Sequence, residues 1–349
     1  MMINGRGRLI AWTVTLLVGL IGALALEALL RPLLWGAGLE WPDLVHNFAA
    51  VFLGIFIEAA PFLLLGSLVS GLIAVFVTAD DVARFMPRNK VLATVFGALL
   101  GMIFPVCECG VVPVVRRLYQ KGFPVSAGVA FLLGAPVLNP IVIASTYVAF
   151  GVGPVLGVRV GLTFLIAVGI GMIFMAQPNV IKVLRPLRVA PIAGGADHPM
   201  QIISPTEIEV DTIARRVQRA FGVAADEFFD MGRYLVGGAL IATALQTFVP
   251  QSALIGVGAG PVSSVLALSV LAFVLSVCST VDAFLALSFV NTFTTGAVVA
   301  FLVFGPMVDI KSTLMFLGVF RRRVVVYMIG LALLAAVAAG LFINFNLSW

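Results

Sequence analysis

Charge is scarce in this chain. Only 11% of its 349 residues are Asp, Glu, Lys or Arg, against about a quarter in an ordinary soluble domain. With 61% hydrophobic residues and a mean hydropathy of +1.15, one or two water-soluble domains are excluded. Histidine occurs twice, at His46 and His198, both read as lying in connecting segments. No Walker A segment, H-E-x-x-H or Gly-x-Ser-x-Gly is present. ATP hydrolysis and His-based metal catalysis therefore have no residues to carry them, and neither an enzyme activity nor a cofactor is expected. Cysteine occurs three times, too rarely for a disulfide framework.

What is present is apolar sequence in long runs, at roughly 9–30, 44–77, 91–118, 124–149, 154–176, 222–249, 261–290, 296–319 and 324–346. Each is near or above the ~20 residues that cross a bilayer as a helix. The runs lack the alternation of a transmembrane barrel strand, and lipid tolerates no other spanning structure. The expected fold class is an all-α polytopic membrane protein. The first run follows Arg6 and Arg8 and holds Ala23-Leu24-Ala25, but it is longer than a signal-peptide core, so it reads as an uncleaved first helix.

The formal net charge of +5 does not point to nucleic acid, because its placement follows membrane topology. Lys and Arg cluster at Arg84, Arg88 and Lys90, at Arg116, Arg117 and Lys121, in the 177–222 linker, and at Arg321–Arg323. With nine full crossings, two of these clusters would lie outside. If 91–118 instead enters from the cytoplasm and returns, and 261–290 does the same from outside, every basic cluster is cytoplasmic. The reading is then seven crossings and two re-entrant helical hairpins in the cell (plasma or inner) membrane, with the N-terminus cytoplasmic. The segments are 1–47 as an N-terminal helix and external loop, 48–176 as a first repeat, 177–221 as a cytoplasmic linker, and 222–349 as a second repeat. In the linker, Thr206 and Glu209 open an amphipathic surface helix.

The hairpins break where polar residues gather. In "FPVCECGVVPVVRR" (104–117), Pro105 and Gly110 bracket Cys107-Glu108-Cys109, leaving half-helices near 91–104 and 111–118. In "LSVCSTVDAFLALSF" the break falls at Cys278-Ser279-Thr280, and Ser279 and Asp282 have capping-box spacing for a new half-helix. The two halves also align. "VAFLLGAPVLN" (129–139) matches "VAFLVFGPMVD" (299–309) at an offset of 170, "PVC" matches "SVC" at 171, and "IEAAPFLLLGS" (57–67) matches "FDMGRYLVGGA" (229–239) at 172. An internal repeat is expected. In the hairpin topology it is inverted, the architecture of many secondary transporters, whose sites form where discontinuous helices meet.

The "CECG" turn, the following "KGFPVSAGVAFLLGAPVLNPIVIASTYVAFG" and the second Cys-bearing break upstream of "VVAFLVFGP" resemble the predicted-permease family that includes the ArsP organoarsenical efflux proteins and the YraQ-type permeases. The resemblance covers roughly 48–176 and 222–346 and is weaker in the second half, where "CSTVD" departs from a Gly-containing turn. It implies a membrane permease, with trivalent organoarsenicals as the substrate class of one branch.

Residue chemistry gives the candidate site. Cys107, Cys109 and Cys278 all fall at the hairpin tips, and soft centres such as As(III) favour thiolate ligands. The alternative is plain packing, since buried cysteine behaves as a small apolar residue. Glu108 is ionisable at an apolar turn, which marks it as a candidate proton carrier; the alternative is an ion pair with Arg116 or Arg117. Asn139, Asp309 and Lys311 follow Pro136 and Pro306, where freed carbonyls and polar side chains line a path. Asp309 and Lys311 are equally readable as a neutralised pair. Asp282 and Lys311 are further proton-coupling candidates, with helix capping as the alternative for Asp282. Glu58, Asp230 and Arg233 read as polar contacts between helices. Glycine pairs at Gly97 and Gly101, and at Gly157 and Gly161, read as close helix packing.

Two functions follow. One is a secondary permease exporting a small thiol-reactive solute such as a trivalent organoarsenical, with protons as the drive. The other is a membrane-embedded thiol oxidoreductase or metal-transfer protein using the C-x-C turn. The inverted repeat favours the first, since redox chemistry has no need of two-fold alternating access. The expected partners are a small-molecule substrate and the lipid bilayer, without nucleic acid, and oligomerisation stays open.

Overall fold

A computed structural model describes residues 41–104, 106–176, 183–184, 213–248 and 260–346. By contacts the chain divides into Met1–Val51 and Phe52–Trp349. The first unit is described only from residue 41, as the start of a helix. The expected first membrane helix, the Thr206–Glu209 capping box and most of the linker lie outside the described residues.

Thirteen α-helices are described. They are α1 (Trp41–Phe76), α2 (Ala79–Phe85), α3 (Lys90–Ile103), α4 (Glu108–Gln120), α5 (Val125–Leu138), α6 (Pro140–Phe150), α7 (Pro154–Ile173), α8 (Ile213–Phe248), α9 (Pro261–Leu275), α10 (Asp282–Leu287), α11 (Thr295–Met307), α12 (Ile310–Val319) and α13 (Arg322–Asn346). Apart from one isolated bridge between Leu184 and Phe320, the described residues hold no β structure. The all-α expectation is met. Among the described residues, six segments are long and apolar enough to cross a membrane: Leu44–Phe76, Val125–Phe150, Pro154–Ala176, Ile213–Thr247, Thr295–Val319 and Arg322–Asn346. The runs 91–118 and 261–290 are not among them, because each is broken into shorter helices.

The order of elements in 41–173 recurs in 213–346: a long helix, a pair separated by a polar break, a second broken helix, then a long helix. The two broken helices form the centre. Every residue of α5 is buried, as is most of α11, and both are apolar on all faces, as a helix enclosed by other helices must be. α5 packs against α3, α4 and α7, α11 against α9, α10 and α13, and α5 and α11 touch. Glycines permit the closest approaches. A Cβ on Gly97 would meet the Ala127 carbonyl oxygen at 2.3 Å, and one on Gly101 the Ala135 Cα at 2.4 Å. Gly157 and Gly161, expected to act likewise, meet no neighbour among the described residues; they face outward.

Hydrogen bonds locate the ends of the broken pairs. Lys121 Nζ donates to Ala74 O at 3.0 Å, so the chain leaving α1 through α2, α3 and α4 comes back to where it started. Asn344, near the end of α13, accepts from Gly296 N and donates to Pro261 O and to Thr294 Oγ1, each at 2.9 Å. The stretch from α9 to α11 therefore also closes on itself. The Lys121 end holds Tyr119, whose ring meets that of Phe320 edge-on, and Val183, whose carbonyl accepts from Arg321 N at 2.9 Å. From Arg322 to Asn344 runs one unbroken apolar helix whose rise over that span is about 33 Å. The two closures lie at opposite ends of α13.

Local details depart from expectation. α4 begins at Glu108 rather than near 111, with Cys107 as its N-cap residue and with Gly110 and Pro113 both carried inside the helix. α10 opens at Asp282 with Val281 as N-cap and no side-chain cap. The Ser279–Asp282 capping box does not form, because the Asp282 carboxylate has a stronger partner. His46 lies within α1 rather than in a connection. In α2 the capping box is real: Thr78 and Asp81 cap each other, and the Thr78 hydroxyl and amide hold the Asp81 carboxyl below its usual range.

Candidate functional site: a buried thiol and ion-pair centre

The breaks after α3 and after α9 bring the three cysteines together. All are buried and unpaired by disulfide. The Cys107 thiol interacts with both of the others, Cys109 from its own half and Cys278 from the second. The Thr280 hydroxyl adds a contact to Cys278 Sγ at 3.6 Å. Cys107 is held as the N-cap of α4 and Cys109 lies in its first turn, whereas Cys278 sits in the irregular turn before α10. Thiols from both halves of the chain thus share one pocket of packing. Among the described residues no three His, Cys, Asp or Glu side chains are arranged to enclose a metal ion; the thiols form a row.

Beside them lies a lysine with two carboxylates. Lys311 Nζ is 3.0 Å from Glu108 Oε1 and 3.0 Å from Asp309 Oδ2, and donates to Ser276 O at 2.8 Å. Asp309 also caps α12, its Oδ1 accepting from Ser312 N at 2.6 Å. Glu108, Asp309 and Lys311 are all buried. Glu108 is the first residue of α4, where the helix dipole favours negative charge. Close packing brings these first turns inward: a Cβ on Gly66 of α1 would sit 2.3 Å from Gly110 O, and one on Gly238 of α8 would sit 2.6 Å from Lys311 Cα.

A second buried ion pair joins the other break to α7. Arg159 Nη2 donates to Asp282 Oδ2 at 2.6 Å and Arg159 Nη1 to Thr146 Oγ1 at 2.7 Å. Arg159 is among the largest fully buried side chains, at 1% exposure. Each broken pair is therefore anchored by ions to the opposite half, Glu108 of α4 to Lys311 of α12 and Asp282 of α10 to Arg159 of α7.

The sequence profile of the "Predicted permease" family, ArsP_1, matches residues 44–345. The chain belongs to the predicted-permease family. Among its relatives, the "UPF0718 protein YcgR" of Bacillus subtilis (strain 168) is 44% identical over 296 residues, covering 84% of this chain and 96% of that protein. A Streptococcus mutans protein named "Putative two-component membrane permease complex subunit" is 36% identical over 295 residues, covering 83% of this chain and 92% of its own length. No solved structure matches.

In this permease the sequence candidates fall into two groups. Cys107, Cys109, Cys278, Glu108, Asp309 and Lys311 come together. Asn139 does not reach that group through its polar side chain, which caps α6 by accepting from Ile141 N at 2.9 Å, and Asp282 belongs to the Arg159 pair. Glu108 does not pair with Arg116 or Arg117, which bond instead to α8: Arg116 Nη1 lies 2.9 Å from Asp230 Oδ2, and Arg117 Nη2 lies 3.2 Å from Glu227 Oε2. Asp230 also binds Arg233, and Ser70 Oγ donates to Glu227. Sequence reasoning missed Arg159, Ser276 and Glu227. Arg159 carried a signal, an arginine inside an apolar run; Ser276 carried none.

Proposed function

We propose that this permease is a secondary transporter that exports a small thiol-reactive solute, with trivalent organoarsenicals as the best-fitting class, and that protons drive it through Glu108. The observation that carries the reading is the row of three thiols, contributed by both halves and buried against an ionisable centre. Soft trivalent centres exchange oxygen ligands for sulfur. A thiol row at the meeting point of two discontinuous segments supports such a site.

The two chain closures support the topology. A segment that leaves and returns at Lys121, and another that does so at Asn344, at the other end of α13, fit two re-entrant hairpins entering from opposite faces, the relation expected of an inverted repeat. Glu108 lies 13 residues along a helix from Lys121, about 20 Å, which puts it near the middle of a ~30 Å core. The basic stretches at 116–121 and 321–323 gather at one end, which the positive-inside rule makes cytoplasmic. The centre holds one more carboxylate than lysine, so one exchangeable proton completes its charge. The name of the Streptococcus mutans relative supports a second subunit for this permease as well.

The test is resistance of expressing cells to a trivalent methylarsenical. Cys107→Ser, Cys109→Ser and Cys278→Ser, at normal expression, are each expected to weaken protection by more than about tenfold, because a methylarsenic centre keeps its carbon bond and takes two thiolates, and each thiol lost removes one of the sulfurs that bind it or receive it in turn. Glu108→Gln is expected to remove the pH dependence. If the triple serine variant protects as well as wild type, the thiol site is wrong.

A further inference from the structure

Lys311 does more than neutralise a neighbour. Its ammonium sits among three oxygens that come from three separate elements: Ser276 O at the end of α9, Asp309 Oδ2 at the cap of α12, and Glu108 Oε1 at the start of α4, at 2.8, 3.0 and 3.0 Å. Carboxylate and carbonyl oxygens converging without nitrogen or sulfur are the ligand set of a hard cation.

The third wall of this cage is held in an unusual conformation. Ser276 is the one non-glycine residue with positive φ among the described residues, at 49°, a left-handed backbone that an L-residue avoids because its Cβ crowds the following carbonyl. Its surroundings hold it there. Ser276 Oγ donates to Phe273 O and accepts from Ile310 N, both at 3.3 Å, and the residue is buried. The left-handed turn is what sends its carbonyl to Lys311 instead of along α9. Strain of this kind persists where the surrounding structure over-determines it, and it gathers at ligand clamps and active sites.

The cage also has acceptor capacity to spare. Glu108 Oε2 is buried and has no hydrogen-bond partner, while Glu108 Oε1 and Asp309 Oδ2 hold the lysine at ion-pair distance. With one shared proton, two carboxylates are balanced by one ammonium in a site without water-facing surface.

We propose that Lys311 is the built-in cation of a monovalent-cation site, its ammonium filling a cage that without it would take sodium, potassium or a small primary ammonium ion. The protein then needs no free metal cation at this centre. The site stands whether or not the thiols bind a substrate, and it is tested without one.

Purified protein is melted in choline, sodium, potassium and methylammonium chloride at equal ionic strength. Wild type is expected to melt at one temperature in choline, sodium and potassium. Lys311→Ala is expected to melt lower in choline and to regain at least about 3 °C in sodium, potassium or methylammonium, saturably, with the gain lost when Asp309→Asn is added. Selective stabilisation of wild type by sodium or potassium overturns the proposal, as does a folded Lys311→Ala that melts identically in all four salts. If Lys311→Ala does not fold, Lys311→Met is compared with the triple variant Glu108→Gln, Asp309→Asn, Lys311→Met. A folded triple variant supports charge filling by Lys311, and a triple variant no better than the single one overturns it.

Discussion

Buried ions are the costliest residues in this protein, and their partners explain where they sit. Arg159 and Asp282 are each nearly without exposed surface, so removing either leaves an uncompensated charge in a low-dielectric interior. Arg159→Leu is expected to cost about 3–5 kcal/mol, and Arg159→Leu with Asp282→Leu to recover most of that loss, read as the melting temperature of purified protein. A double variant no more stable than the single one would show that the pair's charge is not what matters. Legibility at this scale followed rarity. Glu108, Lys311 and the three cysteines stood out because ionisable groups and thiols are few in apolar runs. Arg159 met the same criterion, an arginine inside the apolar run 154–176, and was missed although the signal was there. Ser276 was invisible, since a serine that must turn left-handed looks in sequence like any other serine.

At the scale of elements, the broken helices depend on contacts too close for a side chain. Gly66 against Gly110 and Gly238 against Lys311 stand at matching places in the aligned segments 57–67 and 229–239, and each lets a long helix press on the first turn of a helix that carries site residues. Gly66→Val and Gly238→Val are expected to lower folded yield, overpacking by about 1–3 kcal/mol or more, while Gly54→Val, with no neighbour within 4 Å, is tolerated. Fluorescence-detected size exclusion of the three variants checks this, and equal monodisperse yields would contradict it. The breaks themselves were readable from Pro105, Gly110 and the Cys-Ser-Thr run. The caps were less so. Ser279 and Asp282 had the right spacing, yet spacing does not reveal that Arg159 captures the acid, whereas at Asp309 a cap and an ion pair coexist because the two carboxylate oxygens serve different partners.

At the scale of the whole molecule, the account rests on two closures at opposite ends joined by a shared buried centre. Single-cysteine labelling in a cysteine-free background is expected to find position 119 and position 200 cytoplasmic and position 256 external; external labelling of both 119 and 200 would refute the re-entrant arrangement. The sequence offered a repeat through three aligned blocks that keep nearly one offset. The pairing across halves was not legible, since Glu108 with Lys311 and Asp282 with Arg159 are not equivalent positions of that alignment. The central claim is that thiols from both halves receive the transported solute. The most direct measurement is uptake of a trivalent methylarsenical into proteoliposomes under an imposed pH gradient, wild type against the triple variant Cys107→Ser, Cys109→Ser, Cys278→Ser. Gradient-driven uptake by wild type with none above empty liposomes in the triple variant is the predicted result. Equal uptake by both proteins, or none by wild type, would contradict it.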